Sequence, residues 1–82
     1  MMLYDFIECA IHRLTFLVDC IKVIDYKNDY SFFINRDDNT SMWEYNVDEV
    51  SQYKITSILK DDDEVDCYGN PIVTLNIIVE RI

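Results

Sequence analysis

The sequence predicts an α+β protein in which one N-terminal helix packs on an antiparallel sheet of four to five strands. Three observations predict this fold. The first residues repeat apolar side chains with helical spacing, later segments alternate β-rich stretches with turn signals, and 82 residues leave room for one domain, residues 1–82. A helix laid on one face of a sheet is the simplest arrangement that buries the apolar sides of both.

The helix is predicted over roughly residues 2–14. Its apolar residues follow the i, i+3, i+4, i+7 spacing of an amphipathic helix. Acidic residues stand in its first half and Arg13 stands near its end, as the helix dipole favours. The predicted core side consists of Leu3, Phe6, Ile7, Ala10, Ile11 and Leu14.

Two strands are predicted next, over residues 20–26 and 30–35, because both segments are rich in β-branched and aromatic residues. The polar residues 27–29 between them are typical of a turn, so the two strands form a hairpin. A polar loop over residues 36–40 follows.

Residues 42–47 fit two structures. Aromatic and polar residues alternate from Trp43 to Val47, which favours a half-buried strand. The spacing of Ser41 and Glu44 matches a capping box, which favours a helix. We expect the strand, followed by a turn through residues 48–51.

The two clearest strands are predicted over residues 53–59 and 72–80. The intervening residues 60–71 contain the only glycine and the only proline, in the turn signature Gly69-Asn70-Pro71, together with most of the acidic residues of this region. In the last strand the core side is predicted to be Val73, Leu75, Ile77 and Val79, with Thr74, Asn76 and Glu80 facing water.

The formal net charge of −9 restricts the partners of this protein. Residues 1–30 contribute −2 and residues 31–82 contribute −7, so the acidity lies mainly on the later strands and their loops. Such a chain is repelled by nucleic acid phosphates and by anionic lipid head groups. It is attracted to basic surfaces, many of which belong to nucleic-acid-binding proteins. The simpler interpretation is that the acidity keeps the protein soluble.

The cysteines and the start of the chain predict a cytoplasmic protein. Cys9, Cys20 and Cys67 are an odd set without a CxxC spacing, which favours reduced thiols over a disulfide framework. The acidic start does not resemble a signal peptide. Charged residues interrupt the apolar stretch over residues 6–24, which excludes an ordinary transmembrane helix there.

No motif of catalysis or of metal or cofactor binding is recognisable, so we expect a non-enzymatic protein without a cofactor or a metal. Cys9 and His12 share one helix side but match no nucleophilic motif, and a zinc site would need Cys20 and Cys67 to converge on them. The acids that begin at Asp61 fail the EF-hand pattern at its fifth and sixth positions. One glycine cannot build a phosphate loop.

The acidic residues are therefore the candidate binding site, because regularly spaced carboxylates can occupy a protein groove shaped for nucleic acid. Trp43, Tyr45, Tyr53 and Tyr68 are aromatic residues of the kind that anchors interfaces, although Trp43 and Tyr53 are expected in the core. The main predicted patch is Asp61, Asp62, Asp63, Glu64 and Asp66, and a second patch is Asp37, Asp38, Asp48 and Glu49.

The opening residues 3–7, the strand–turn–strand segment 20–35 and the short acidic format resemble small phage and mobile-element proteins, among them the small acidic anti-CRISPR proteins. That resemblance implies a nucleic-acid mimic that inhibits a Cas nuclease or another nucleic-acid-handling protein through the acidic residues above. The alternative is a phage structural, assembly or adaptor module that forms a homo-oligomer through sheet edges.

Overall fold

The computed structural model describes residues 1–14, 18–36 and 42–82, which form a five-stranded mixed sheet and two short helices. The protein is thus α+β, as predicted, with a second helix that was not. None of the described helices is long and apolar enough to cross a membrane. In chain order the elements are α1 Leu3–Leu14, β1 Cys20–Asp25, β2 Tyr30–Arg36, β3 Trp43–Glu44, α2 Val47–Val50, β4 Tyr53–Val65 and β5 Pro71–Arg81.

The strand order across the sheet is β3-β2-β1-β5-β4. The predicted hairpin of β1 and β2 is confirmed, and β2–β3 and β4–β5 are also antiparallel. The expectation of a fully antiparallel sheet is wrong, because the central strands β1 and β5 run parallel. β5 pairs with β4 on one side, through the antiparallel hairpin, and with β1 on the other side, where the two strands run in the same direction.

Asp19 joins the beginnings of these two parallel strands. Its backbone N–H donates to the carbonyl oxygen of Val73 at 2.8 Å, and its carboxylate oxygen Oδ2 accepts from the N–H of Val73 at 2.7 Å. The register then places Ile21 beside Leu75 and Val23 beside Ile77. Residues more than 50 positions apart in the chain therefore meet at the centre of the core.

One face of the sheet, here called the core face, packs against the helices. The described core takes Leu3 and Ile7 from α1 and Val50 from α2. Trp43 and Tyr53 are buried, as predicted. From β1 and β2 the sheet supplies the buried residues Ile21, Val23 and Ile34. From β5 it supplies the buried residues Leu75, Ile77 and Val79, with Val73 packed against the core, which confirms the predicted core side of this strand.

The opposite side, here called the open face, has no described helix over it. Along β1 the buried and half-buried residues alternate strictly, so Cys20, Lys22 and Ile24 point away from the core face. Phe33 on β2 and Leu59 on β4 lie on the same side, and more than half of each residue is exposed to solvent.

The segment around residue 47 corrects the strand prediction. Only Trp43–Glu44 pair as a strand, and Val47–Val50 form one helical turn. Asn46 is the N-cap, and its side-chain oxygen accepts from the N–H of Glu49 at 3.1 Å. Tertiary packing decides in favour of the helix, because the turn brings Val50 fully into the core. Ser41, the predicted cap, lies outside the described residues.

The acidic region between the last two strands is also different from the prediction. β4 continues to Val65, so Asp61, Asp62, Asp63 and Glu64 lie in a strand rather than in a loop. The register shifts between Ile55 and Ser57 and again between Asp61 and Glu64. Strong pairing along β5 extends the hairpin beyond the point where the acidic sequence suggested a loop, and the bulges accommodate the extra residues.

Replacing Ile77 with alanine should lower the free energy of unfolding by about 2–5 kcal/mol, because it leaves a cavity at a fully buried central position. Urea unfolding followed by circular dichroism measures the change. Val65→Ala is the control, since Val65 is mostly exposed on the same hairpin and its variant should differ little from wild type. Equal effects at the two sites would contradict the assignment of the core.

Candidate partner-binding site

The acidic residues of the main predicted patch lie together at the far end of the β4–β5 hairpin. This segment, residues 61–68, is here called the acidic hairpin; it contains the end of β4 and the following turn. β4 is an edge strand of the sheet, so the outer side of this segment faces solvent. The structure thus brings the five main candidates onto one projecting element: Asp61, Asp62, Asp63, Glu64 and Asp66.

Asp66 shapes the turn. Its Oδ1 accepts from the N–H of Tyr68 and from the N–H of Asn70, both at 2.9 Å. Its own N–H donates to the carbonyl of Asn70, and Gly69 takes the left-handed φ of +84° that the turn requires. Asp66 is therefore first a structural residue, although it also adds a negative charge to the hairpin.

The other four acids differ in how far their carboxylates are engaged. Oδ1 of Asp61 accepts from the N–H of Asp63 at 3.1 Å, which stabilises the bulge in β4. Within the described parts of the chain, the carboxylates of Asp62, Asp63 and Glu64 have neither an ion pair nor a hydrogen bond. These three exposed carboxylates are available to a partner.

Tyr68 is the aromatic residue of the acidic hairpin. It is 87% exposed at the turn, although a tyrosine ring carries a large apolar area. Among the other aromatic candidates, Trp43 and Tyr53 are core residues and Tyr45 is half-buried. Tyr68 therefore has the exposure expected of an interface anchor next to the free carboxylates.

The second predicted patch lies at the other end of the molecule. Asp48 and Glu49 belong to α2, which immediately precedes the start of β4. The 11 residue steps from Tyr53 to Glu64 span roughly 35 Å of strand, so the two patches do not form one surface. Asp37 and Asp38 lie outside the described residues.

A groove of about 570 Å³ beside α2 combines Asp48 and Glu49 of the second predicted patch with residues that sequence reasoning missed. Asp25 is buried at its base, where its carboxylate accepts from the side-chain amide of Asn28 at 2.7 Å. The hydroxyl of Tyr30 donates to Glu49 at 2.8 Å, and this hydrogen bond raises the pKa of Tyr30. The Asp-x-x-Asn spacing was the available sequence signal, since it is typical of a side-chain-capped turn.

These contacts give the groove an internal role. Asp25 stabilises the β1–β2 turn, and Glu49 joins α2 to β2 through the tyrosine hydroxyl. The guanidinium of Arg81 stacks over the ring of Tyr53, 5.8 Å from its centroid. The polar groups of the groove thus bond largely to one another, whereas three carboxylates of the acidic hairpin have no hydrogen bond among the described residues.

The described residues contain no group of three or more His, Cys, Asp or Glu side chains arranged to hold a metal ion. Cys9 and Cys67 are exposed, and Cys20 lies beside Thr74, with its sulfur 3.3 Å from the threonine hydroxyl. The side chain of His12, the remaining candidate ligand, lies outside the described part of the chain. The site chemistry that can be described is that of exposed carboxylates.

Replacing Asp66 with alanine should loosen the turn of the acidic hairpin, because it removes the acceptor of two backbone N–H groups. We expect the amides of Tyr68 and Asn70 to exchange with solvent about tenfold faster. Asp66→Asn keeps an oxygen at the same place and should stay near wild type. Nuclear magnetic resonance of amide exchange distinguishes the two, and equally fast exchange in both variants would contradict the structural role.

The contact between Tyr45 and Glu8 predicts a dependence of stability on alkaline pH. The hydroxyl of Tyr45 donates to the Glu8 carboxylate, and this hydrogen bond, with partial burial, raises the pKa of Tyr45 from 10.0 to about 12. A raised pKa means that the folded state holds its proton more tightly than the unfolded state. The stabilisation is therefore complete below about pH 10 and is lost as the pH rises through about 12.

Tyr45→Phe should be less stable than wild type at neutral pH, and the difference should shrink as the pH rises from about 10 towards about 12. Urea unfolding midpoints of both proteins across that range measure the effect. The remaining tyrosines are common to both proteins, so their titration cancels in the comparison. A difference that stays constant across the range would show that the hydrogen bond does not stabilise the fold.

Comparisons with known proteins leave the site to be interpreted from its own geometry. No family model matches the chain, and no curated protein or solved structure matches it either. What the site can bind must therefore follow from the placement of its carboxylates and of Tyr68.

Proposed function

We propose that this protein binds the basic surface of a nucleic-acid-handling protein and inhibits it by nucleic-acid mimicry, with a Cas nuclease as the first candidate partner. The observation that carries the proposal is the acidic hairpin. Its exposed carboxylates of Asp62, Asp63 and Glu64 have no partner among the described residues. A basic groove would supply the missing counter-charges.

The spacing of these carboxylates supports mimicry. Successive residues of an antiparallel strand advance about 3.4 Å. Phosphates along one strand of B-DNA also advance about 3.4 Å along the helix axis. Counted along the strand axis, the four consecutive acids, Asp61 to Glu64, therefore match the charge density of one DNA strand. Because successive side chains of a strand point to opposite faces, either face presents one carboxylate about every 7 Å.

The position of the hairpin favours entry into a groove. The molecule is 40 Å long and 17 Å thick, and the acidic residues lie at one end of its longest strand. Tyr68 and Val65, both mostly exposed, add apolar area beside the charges. Charge would accelerate association and select the partner, and burial of Tyr68 would slow dissociation.

The proposal concerns a protein partner rather than nucleic acid. At a net charge of −9 the chain is repelled by phosphates, and the exposed acids that attract a basic protein increase that repulsion. The same charges should make binding weaken as salt is added, because exposed charges are screened over about 8–10 Å at physiological ionic strength.

The test is a triple variant in which Asp62→Asn, Asp63→Asn and Glu64→Gln remove three carboxylates and keep the shapes of the side chains. We expect its affinity for guide-loaded Cas nucleases, or for basic proteins captured from a bacterial lysate, to fall about tenfold or more, because three charge contacts are lost. Surface plasmon resonance at two salt concentrations measures the affinity and its salt dependence.

The matched control is a second triple variant with Asp5→Asn, Asp29→Asn and Glu44→Gln. It removes the same number and types of carboxylate, but from exposed positions outside the hairpin. This variant should bind like wild type. Equal loss in the two variants would show that net charge alone governs binding, and unchanged affinity in the hairpin variant would contradict mimicry. Circular dichroism checks that both variants are folded.

A further inference from the structure

The open face of the sheet exposes large apolar side chains and carries little net charge for a chain of net charge −9. Phe33 and Leu59 are 55% and 56% exposed on it, and Ile24 and Ile78 lie half-buried between them. The cation of Lys22 sits over the ring of Phe33, 5.7 Å from the centroid.

The strand registers arrange the open face in rows that read alike from both ends. Each row crosses β2, β1, β5 and β4 in that order. The middle row, Phe33–Lys22–Asn76–Leu59, is apolar at its ends and polar inside. The row on one side of it, Ser31–Ile24–Ile78–Ser57, is polar at its ends and apolar inside, and the row on the other side, Asn35–Cys20–Thr74–Asp61, is polar throughout. The face is therefore close to a palindrome about the line between β1 and β5.

A palindromic face is what a two-fold symmetric contact requires, because each residue then meets the symmetry-related position of a second copy. A two-fold axis along the strands, between β1 and β5, brings Phe33 opposite Leu59 of the second copy and Ile24 opposite Ile78. Asn35 then lies opposite Asp61, an amide facing a carboxylate. No pair of like charges is brought together.

We propose that two copies of this chain associate through their open faces, giving a homodimer in which the two sheets stack with the helices outside. The three rows contain one cation, Lys22, and one anion, Asp61, so their formal charge is zero. These rows can thus approach those of a second copy with little of the repulsion expected for a protein of net charge −9, and Glu64, paired with Ile72 on the same side, adds one negative charge at their margin.

The size of the face permits a dimer. The three rows cover roughly 400 Å², and the extents of the whole molecule, 40 by 25 Å, limit the face to roughly 1000 Å², whereas one partner of a standard interface buries about 800 Å². Stacked sheets pack about 10 Å apart with interdigitating side chains, as in a β-sandwich.

The sheet edge at β4 is less suited to pairing. The carbonyl of Met1 accepts from the N–H of Ile55 at 2.8 Å, and Met2 forms a bridge with Lys54, so the beginning of this edge is already occupied. Further along, two bulges and four consecutive acids interrupt the edge. Bulges and charges are the devices by which natural sheets prevent edge-to-edge association. A homo-oligomer is therefore better formed through the open face.

Sedimentation equilibrium of the whole chain tests the proposal. Wild type should have twice the 9.8 kDa mass of the chain at micromolar concentration, equally in low salt and in about 1 M salt, because the interface is neutral. Phe33→Asp should weaken the dimer at least tenfold. Val47→Asp, which also replaces an apolar side chain with an acid but at a 50% exposed position on α2, should stay dimeric. A monomeric wild type would overturn the proposal.

The register is tested by charge rescue. Leu59→Lys alone should also weaken the dimer, and Phe33→Asp combined with Leu59→Lys in one chain should restore it, because the two new charges meet across the two-fold axis. Within one chain these residues are three strands apart, about 14 Å, so rescue cannot arise inside a monomer. Failure of rescue in folded variants, checked by circular dichroism, would refute this face-to-face register.

The proposed dimer and the proposed mimicry share Asp61, but their test variants replace different residues. The triple variant of the acidic hairpin should keep its dimer mass, and Phe33→Asp should keep the partner affinity of a single hairpin. Loss of one property therefore leaves the other measurable.

Discussion

Parallel pairing between β1 and β5 holds the two halves of the molecule together. Each strand belongs to its own hairpin, and each hairpin taken alone would expose an apolar side. The pairing aligns Ile21 with Leu75 and Val23 with Ile77, and it joins the three strands β1–β3 and the two strands β4–β5 into one sheet with one core. Asp19 secures the start of this pairing through two hydrogen bonds with Val73. The helices then pack on a surface that exists only once both hairpins have met.

The same pairing sets the functional geometry. Because β5 is central, β4 becomes an edge strand, and the acidic second half of β4 faces solvent rather than a neighbouring strand. On the open face the pairing places Ile24 beside Ile78 and Lys22 beside Asn76, which produces the symmetric rows. An acidic end and a neutral apolar face are thus separate consequences of one strand order. They are the two surfaces for which we propose different partners, a basic protein groove and a second copy of the chain.

The acidic residues named below form two groups, according to whether their carboxylates accept hydrogen bonds within the protein. Asp19, Asp25 and Asp66 accept backbone or side-chain N–H groups and stabilise turns and strand ends. Asp62, Asp63 and Glu64 have no such contacts within the described chain and contribute mainly an external field. Acidic composition alone does not distinguish these groups, since the distinction depends on which N–H groups the fold leaves within reach. A net charge of −9 therefore overstates the charge available to a partner.

Local sequence determined the α+β class, helix α1, the β1–β2 hairpin and the core side of β5, because apolar periodicity and turn residues act over a few neighbouring positions. It also identified Asp61 to Glu64 as the main acidic cluster. Only the tertiary structure decided the parallel neighbours β1 and β5, the helical turn at Val47–Val50, and the extension of β4 through the acids. Each of these depends on contacts between residues distant in the chain: burial of Val50 outweighs a local strand pattern, and pairing with β5 outweighs the repulsion among adjacent carboxylates.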